Sequence, residues 1–160
     1  MRRVKARPLT AEAFAPFGDV IALRDKPDRI INQGLCGRHH DLTALDVSDG
    51  RPAISLFDAE PRALPHRLDM MERHPAGSQA FLPMTENPFL VVVARDEDGR
   101  PGAPLAFLTA PGQGVNYARG AWHGVLTPLA APGLFAVIDR VGPGENLEEF
   151  WFEEPWIIDA

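Results

Sequence analysis

Three side chains that can bind a metal or move a proton lie close together near the middle of the chain: Glu72, His74 and Gln79. Glu72 and His74 are two residues apart, so on a β-strand they project from the same face. Pro75 and Gly77 then interrupt the strand, because proline fixes φ and glycine tolerates positive φ. If this turn folds the chain back, Gln79 faces the same cavity. The stretch therefore predicts a pocket with acid/base or metal-binding chemistry.

This stretch and a second segment have the spacing of the two motifs of cupins, which are small jelly-roll barrels. Glu72, His74 and Gln79 resemble the first motif, His-x-His followed after four residues by an acid, with Glu for the first His and Gln for the acid. Gly112–His123 resembles the second motif, which runs from a glycine through Pro-x-Gly to a histidine, with Ala118 in place of the proline. The resemblance implies that barrel closure brings the histidine of the second segment beside His74.

Glu72, His74, Gln79 and His123 would then converge. Two imidazoles and a carboxylate are adequate ligands for a divalent transition metal, whereas Gln79 would be a neutral and weak one. The same four residues also serve acid/base chemistry without a metal, and the residue types alone leave both hypotheses open. Packing alone would not explain the group, because unpartnered polar side chains are costly in an apolar barrel.

The element pattern predicts the barrel that must position these residues. Gly and Pro together make up 30 of 160 residues, counting 14 and 16 respectively, which favours short strands over long helices. The predicted strands span 19–23, 53–57, 66–74, 79–83, 88–94, 105–109, 115–117, 122–126 and 134–140. We therefore predict an all-β fold, a cupin-like double-stranded β-helix or jelly-roll barrel, in one domain spanning residues 1–160. A short helix capped by Thr10 precedes it, over residues 9–14.

Two apolar segments carry further expectations. The continuous apolar run at 88–94 predicts a strand buried on both faces. The aromatic tail at 150–158 must cover either the edge of the core or a partner subunit.

Charge and composition restrict the partners. The net charge of −6 argues against nucleic acid, and no apolar run approaches the roughly 20 residues of a membrane helix. The single cysteine, Cys36, is predicted to be a small buried apolar residue and favours a reducing compartment, hence a cytoplasmic location. His39, His40 and Asp41 are predicted to lie in a polar loop or at a strand edge rather than in a metal site, because adjacent histidines on a strand point to opposite faces. Two glycines within residues 30–42 speak against a regular element there.

Longer motifs are similar to those of the ureidoglycolate lyase family. Residues 72–84 read Glu-Arg-His-Pro-x-Gly-Ser-Gln-Ala-Phe-x-Pro-Met, and residues 114–123 read Gly-Val-Asn-Tyr-x-Arg-x-x-Trp-His. Shorter matches lie at 14–21, 40–42 and 138–140. The resemblance implies an enzyme of purine and allantoin breakdown that splits (S)-ureidoglycolate into glyoxylate and urea. It also implies a homodimer and an association with nickel.

That reaction requires a general base and a general acid. Ureidoglycolate carries a hydroxyl and a urea nitrogen on one carbon, so a base must remove the hydroxyl proton while an acid protonates the departing nitrogen. His74 or His123 is the predicted base, with Glu72 as acid or as metal ligand.

The substrate also needs partners for its charged and amide groups. Its carboxylate requires a cation or several N–H donors, and Arg140 and Arg119 are the candidates, since Arg73 should face away from its neighbours in the motif. The residues predicted to bind the rest of the substrate are polar and lie in the two motifs: Gln79, Ser78, Asn116 and Tyr117. Trp122 is predicted to pack within the barrel beside the motif histidine.

Two other classes of function fit the same residues. One is a different metal-dependent cupin enzyme, such as an isomerase or dioxygenase. The other is a non-catalytic module that binds a small acid.

Overall fold

The computed structural model describes all residues from Met1 to Ala160. Its only α-helix, α1, spans Ala11–Phe14, and Thr10 Oγ1 caps it by accepting a hydrogen bond from the Ala13 N–H at 3.2 Å. The strands, in chain order, are β1 (Arg2–Lys5), β2 (Arg7–Pro8), β3 (Gly18–Ile21), β4 (Arg29–Ile31), β5 (Cys36–Arg38), β6 (Arg51–Ala59), β7 (His66–Arg73), β8 (Gln79–Pro83), β9 (Phe89–Ala94), β10 (Asp96–Glu97), β11 (Arg100–Pro101), β12 (Leu105–Leu108), β13 (Gly114–Tyr117), β14 (Trp122–His123), β15 (Thr127–Pro128), β16 (Gly133–Val141) and β17 (Glu148–Asp159). No helix in the chain has the length and apolar character needed to cross a membrane.

Two sheets form the barrel and confirm the predicted all-β, cupin-like fold. One sheet has eight strands in the order β1-β17-β7-β14-β9-β12-β2, with β15 beside β9, and the other has five in the order β3-β13-β8-β16-β6. All pairs are antiparallel apart from β1–β17 and β2–β12. Neighbours in the sheets are often distant in sequence, which brings separate motifs together.

The main core lies between the two sheets. It contains residues of β9 and β12 from one sheet and of β8, β13 and β16 from the other, together with α1. Its largest fully buried side chains are aromatic, including Phe14, Phe89 and Phe107. Rings such as these bury large apolar areas, so they hold the sheets together.

Strand β9 is buried on both faces, as its continuous apolar run predicts. Val91 and Val93 belong to the core between the sheets, whereas Leu90 and Val92 belong to a second cluster on the opposite face. The aromatic tail contributes to this second cluster: β17 pairs with β7 and β1, and Phe150, Phe152 and Trp156 pack against the cluster. Within the chain, the tail therefore covers the edge of the core.

Several local expectations were wrong. Residues 30–42 contain a regular element, because β4 and β5 pair as a hairpin. Cys36 lies in that hairpin and is exposed rather than buried, since both strands of this small hairpin are exposed along their whole length. The strand predicted at 122–126 stops at His123, where the Gly124 carbonyl accepts a hydrogen bond from the His123 ring. The N-terminal strands β1 and β2 had no predicted counterpart.

Candidate active site

The two motif segments meet where β7 and β14 pair. Glu72 on β7 lies directly opposite His123 on β14, and His74 follows the end of β7. One metal-ligating atom from each of these three side chains lies within 4.8 Å of those of the other two, and the two imidazole ring centres are 5.2 Å apart. The barrel topology thus brings together residues that are about 50 positions apart in the chain.

His123 is held as a neutral ring with one free lone pair. Its Nδ1 lies 2.9 Å from the Gly124 carbonyl oxygen, which can only accept, so Nδ1 carries the proton. Its Nε2 is buried and has no hydrogen-bond partner in the protein. The ring stacks on Tyr117 with 4.2 Å between centres and 7° between planes. Burial, together with the neighbouring His74, lowers the pKa of His123 to about 3.

His74 is held with both ring nitrogens facing acceptors. Nδ1 lies 2.8 Å from the backbone oxygen of Asn146, and Nε2 lies 2.9 Å from Gln79 Oε1. The Gln79 amide has a fixed orientation, because its Nε2 donates to Asp139 Oδ2 at 3.0 Å. The two histidines therefore differ in their surroundings: both ring nitrogens of His74 face acceptors, whereas Nε2 of His123 keeps a free lone pair.

Two further ionisable groups adjoin the imidazoles. Burial raises the pKa of the Glu72 carboxyl, and the charge of His74 partly offsets this effect. Burial also raises the pKa of Tyr117, and the charge of Glu72 adds to the shift, so the phenol stays neutral.

The cluster has the composition of a divalent metal site. It offers a carboxylate and two imidazoles, and the buried, unpartnered Nε2 of His123 is the kind of atom that a metal would satisfy. His74 Nδ1 must keep its proton toward the Asn146 carbonyl, so Nε2 would be its ligating atom. Ligation would then replace the hydrogen bond to Gln79. This set fits a metal held by Glu72, His74 and His123, with Gln79 displaced.

A cavity of about 400 Å³ leads to the cluster. Its polar lining consists of Asp58, Arg62, Glu72 and Gln79, and the other five lining residues are apolar. Arg62 is the only basic residue in that lining. A cavity of this size is large enough for a small hydroxy acid.

Two of the residues predicted to bind substrate lie beside the cluster. Gln79 bonds to His74, and Tyr117 stacks on His123. The other four contact a segment that crosses the outside of the five-stranded sheet, residues 41–50, which we call the strap. The contacts are Asn116 to Thr43 and Ala44, Ser78 to Asp46, Arg119 to Asp46 and Ser48, and Arg140 to Asp49.

Strand alternation explains why these residues leave the site. Asn116 lies between Val115 and Tyr117, both of which point into the core, so it faces outward. Arg140 likewise follows Asp139, which faces Gln79 within the barrel. The Arg140 side chain is only 3% exposed and its Nη2 lies 2.6 Å from Asp49 Oδ1, so the ion pair fastens the strap. The guanidinium holds the pKa of Asp49 below its usual range.

Of the two expectations for neighbouring side chains, the one for Arg73 was confirmed, whereas Trp122 packs in the second cluster, on the opposite face of the sheet, rather than within the barrel. Arg73 faces away from the cluster and pairs with Asp96 and Glu148. Trp122 is 2% exposed, lies under the Arg73 guanidinium, and donates from Nε1 to the Asp96 carboxylate. These contacts brace β7 against β14 from the side opposite the site.

Three groups at the site escaped the sequence analysis. Asp139 lies in the short motif at 138–140, but only the pairing of β16 with β8 brings it opposite Gln79. Asn146 acts through its backbone carbonyl, which leaves no residue-type signal in the sequence. Arg62 lies in the proline-bearing connection between β6 and β7, and only the fold turns that connection toward the cavity.

Known proteins match the chain over its full length. A family model described as ureidoglycolate lyase matches residues 1–159. A ureidoglycolate lyase of Rhodobacter capsulatus is 61% identical, with all of both chains covered. One of Chelativorans sp. is 54% identical over 99% of this chain and 97% of its own. "Ureidoglycolate lyase 2" of Rhizobium meliloti is 55% identical over 96% and 95%, respectively. On the barrel, the cluster and these matches, the chain belongs to the ureidoglycolate lyase family.

Proposed function

We propose that this protein cleaves (S)-ureidoglycolate into glyoxylate and urea. The observation that carries the proposal is the pairing of two imidazoles with opposite hydrogen-bonding surroundings: His123 has a free Nε2 lone pair, and both nitrogens of His74 face acceptors. One ligating atom of each ring lies within 4.8 Å of one on the other ring, so the hydroxyl and the urea nitrogen of one substrate carbon can each contact one of the two rings. The residue types alone left the acid and the base unassigned, and these hydrogen bonds support one assignment.

In this assignment His123 is the general base. Its Nε2 accepts the proton of the substrate hydroxyl, and the resulting oxyanion forms the C=O bond of glyoxylate as the C–N bond breaks. A base must hold a free lone pair at working pH, and burial of the imidazole keeps that lone pair available. The charge that this ring gains lies beside the Glu72 carboxylate, which stabilises it.

His74 is then the general acid. It donates a proton to the departing nitrogen, so urea leaves as a neutral molecule. Gln79 and Asp139 support this role from behind: the Asp139 carboxylate holds the Gln79 amide so that its carbonyl oxygen faces the ring.

The family's association with nickel is consistent with the donor set. Glu72, His74 and His123 would hold the ion, which supplies a Lewis acid that lowers the pKa of a bound hydroxyl. The proton acceptor and donor of the unligated site are the protein's own groups, so we expect metal content to change activity without changing the products. Protein purified with and without added nickel tests this expectation, when its metal content by mass spectrometry is compared with its rate and its products.

The reaction itself is tested by its products. Purified protein given racemic ureidoglycolate should release glyoxylate and urea in equal amounts and consume half of the substrate. Ammonia in place of urea would reassign the protein as an amidohydrolase. The absence of any turnover would contradict the proposal and favour a binding module.

We also infer the setting of the enzyme. The chain acts as one domain over residues 1–160, in allantoin and purine breakdown in the cytoplasm; the single free thiol fits a reducing compartment. Its partner is a small molecule rather than nucleic acid or membrane. We infer a homodimer, which would cover the outer face of the edge strand β6, where Ile54 is 75% and Leu56 64% exposed. Light scattering of the wild type and of Leu56→Lys tests the dimer, since the added charge should yield monomers.

A further inference from the structure

We propose that Arg62 binds the carboxylate of the substrate and thereby selects acidic ureido compounds over neutral ones; this rests on the proposed function. The sequence analysis assigned the carboxylate to Arg140 or Arg119. Both of those guanidinium groups pair with acids of the strap, so neither is free to bind an anion at the cluster.

Arg62 differs from those arginines in its surroundings. Its side chain makes no ion pair and no hydrogen bond within the protein, and it lines the cavity beside Glu72 and Gln79. It also lines the adjoining cavity of about 360 Å³ together with Glu72 and His66. Arg62 is therefore shared by the two cavities, as is Glu72 of the cluster.

Other observations support that position. The backbone N–H of Arg62 donates to the Pro128 carbonyl at 2.8 Å, which fixes this point of the connection against the barrel rim. Burial lowers the pKa of His66, and the positive charge of Arg62 lowers it further, so the charge of Arg62 acts on this wall of the site. An unpaired guanidinium at a cavity mouth retains its donors for a carboxylate, which it can bind through two parallel hydrogen bonds.

The stereochemistry of the substrate gives the arginine a definite task. The reacting carbon carries a hydroxyl, a urea nitrogen, a carboxylate and a hydrogen atom. When the hydroxyl faces His123 and the nitrogen faces His74, the carboxylate must take a remaining direction. If that direction leads to Arg62, three fixed contacts define the hand of the carbon. Arg62 would then select one enantiomer as well as the acidic class of substrate.

The test compares two substrates that share the reacting bonds. Hydroxymethylurea has a hydroxyl and a urea nitrogen on one carbon but lacks the carboxylate. Arg62→Met should lower kcat/KM for ureidoglycolate by about ten- to a hundred-fold, the range expected for losing a charged hydrogen bond, and should leave hydroxymethylurea turnover unchanged. Arg62→Lys should recover part of the loss. Arg100→Met is the matched control, because Arg100 is also exposed and without an ion pair but lines a different cavity.

Binding of glyoxylate, measured by calorimetry, separates this inference from the proposed reaction. If ureidoglycolate is not cleaved, the reaction proposal fails. Arg62 still keeps its role in that case if glyoxylate binds to the wild type and to Arg100→Met but not to Arg62→Met. If the wild type does not turn over hydroxymethylurea, the glyoxylate titration alone decides the assignment of Arg62. The assignment would be overturned if Arg62→Met lost kcat/KM equally on both substrates or on neither. It would also be overturned if the wild type did not bind glyoxylate or if Arg62→Met retained that binding.

Discussion

The proton state of His123 predicts how the stability of the protein depends on pH. The unfolded chain binds a proton at this histidine below its ordinary pKa of about 6.5, whereas burial lowers the pKa of the folded ring to about 3. Between these values the unfolded state holds more protons than the folded state, so the free energy of unfolding rises with pH. His123 therefore destabilises the fold progressively as the pH falls from 6.5 toward 3.

The size of this effect follows from the same linkage. Each pH unit in that window corresponds to about 1.4 kcal/mol, so His123 should remove roughly 2–3 kcal/mol between pH 6.5 and pH 4.5. His123→Asn removes the titration and keeps a donor for the Gly124 carbonyl. The variant will be less stable at neutral pH, because it loses the stack on Tyr117. The informative quantity is thus the change in the stability difference with pH.

The assay is urea unfolding followed by the fluorescence of the three tryptophans, in the presence of a chelator, at half-unit steps of pH. The gap between the wild type and His123→Asn should narrow by roughly 2–3 kcal/mol between pH 6.5 and 4.5. His40→Asn, in an exposed loop, is the matched control and should run parallel to the wild type. Parallel curves for His123→Asn and the wild type would refute the assignment of His123 as a buried neutral ring.

The remaining predictions concern the groups that hold the cluster and the strap. Asp139→Leu should lower kcat more than it raises KM. In a Gln79→Leu background the same substitution should have little further effect, because Asp139 acts through the Gln79 amide. A double-mutant cycle of kcat measures this coupling, and additive losses would contradict it. Gly77→Ala should cost about 1–3 kcal/mol in urea unfolding, because the new methyl group would lie 2.7 Å from the Asp46 carbonyl oxygen and 3.0 Å from Arg140 Cβ; an unchanged midpoint would mean that the strap packs less tightly. Arg140→Met should cost about 1–2 kcal/mol of stability with little change in KM, and a large rise in KM would return the carboxylate to this arginine.

The arginines show how far residue type carries a prediction of function. A carboxylate needs a cation, and that requirement directed the prediction to Arg140 and Arg119. Which arginine is free depends on where the acids of the strap lie, and those acids are more than 70 residues away in sequence from the arginines they pair with. Sequence spacing carries no information about such pairings.

The histidines illustrate the same limit at the level of protonation. The motif spacing predicted that the two rings would lie side by side, and their centres are 5.2 Å apart, because strand alternation and the barrel registers act on any chain with that spacing. Their roles depend on which acceptors face each nitrogen. One acceptor is a backbone carbonyl of Asn146, and another is a glutamine oriented by Asp139, so the proton states emerge only when three distant segments pack together.

The sequence by itself determined the all-β barrel, the strand buried on both faces and the family of the protein. Local signals suffice for the barrel and the buried strand, since alternation, apolar runs and turn residues act over a few positions, whereas the family was implied by the resemblance of the motifs at 72–84 and 114–123. Only the tertiary structure decided that the residues 41–50 form a strap, that four candidate ligands hold it, and that Arg62 lines the cavity. These features arise from contacts between residues far apart in the chain, where burial and pairing, rather than residue type, decide what each side chain can bind.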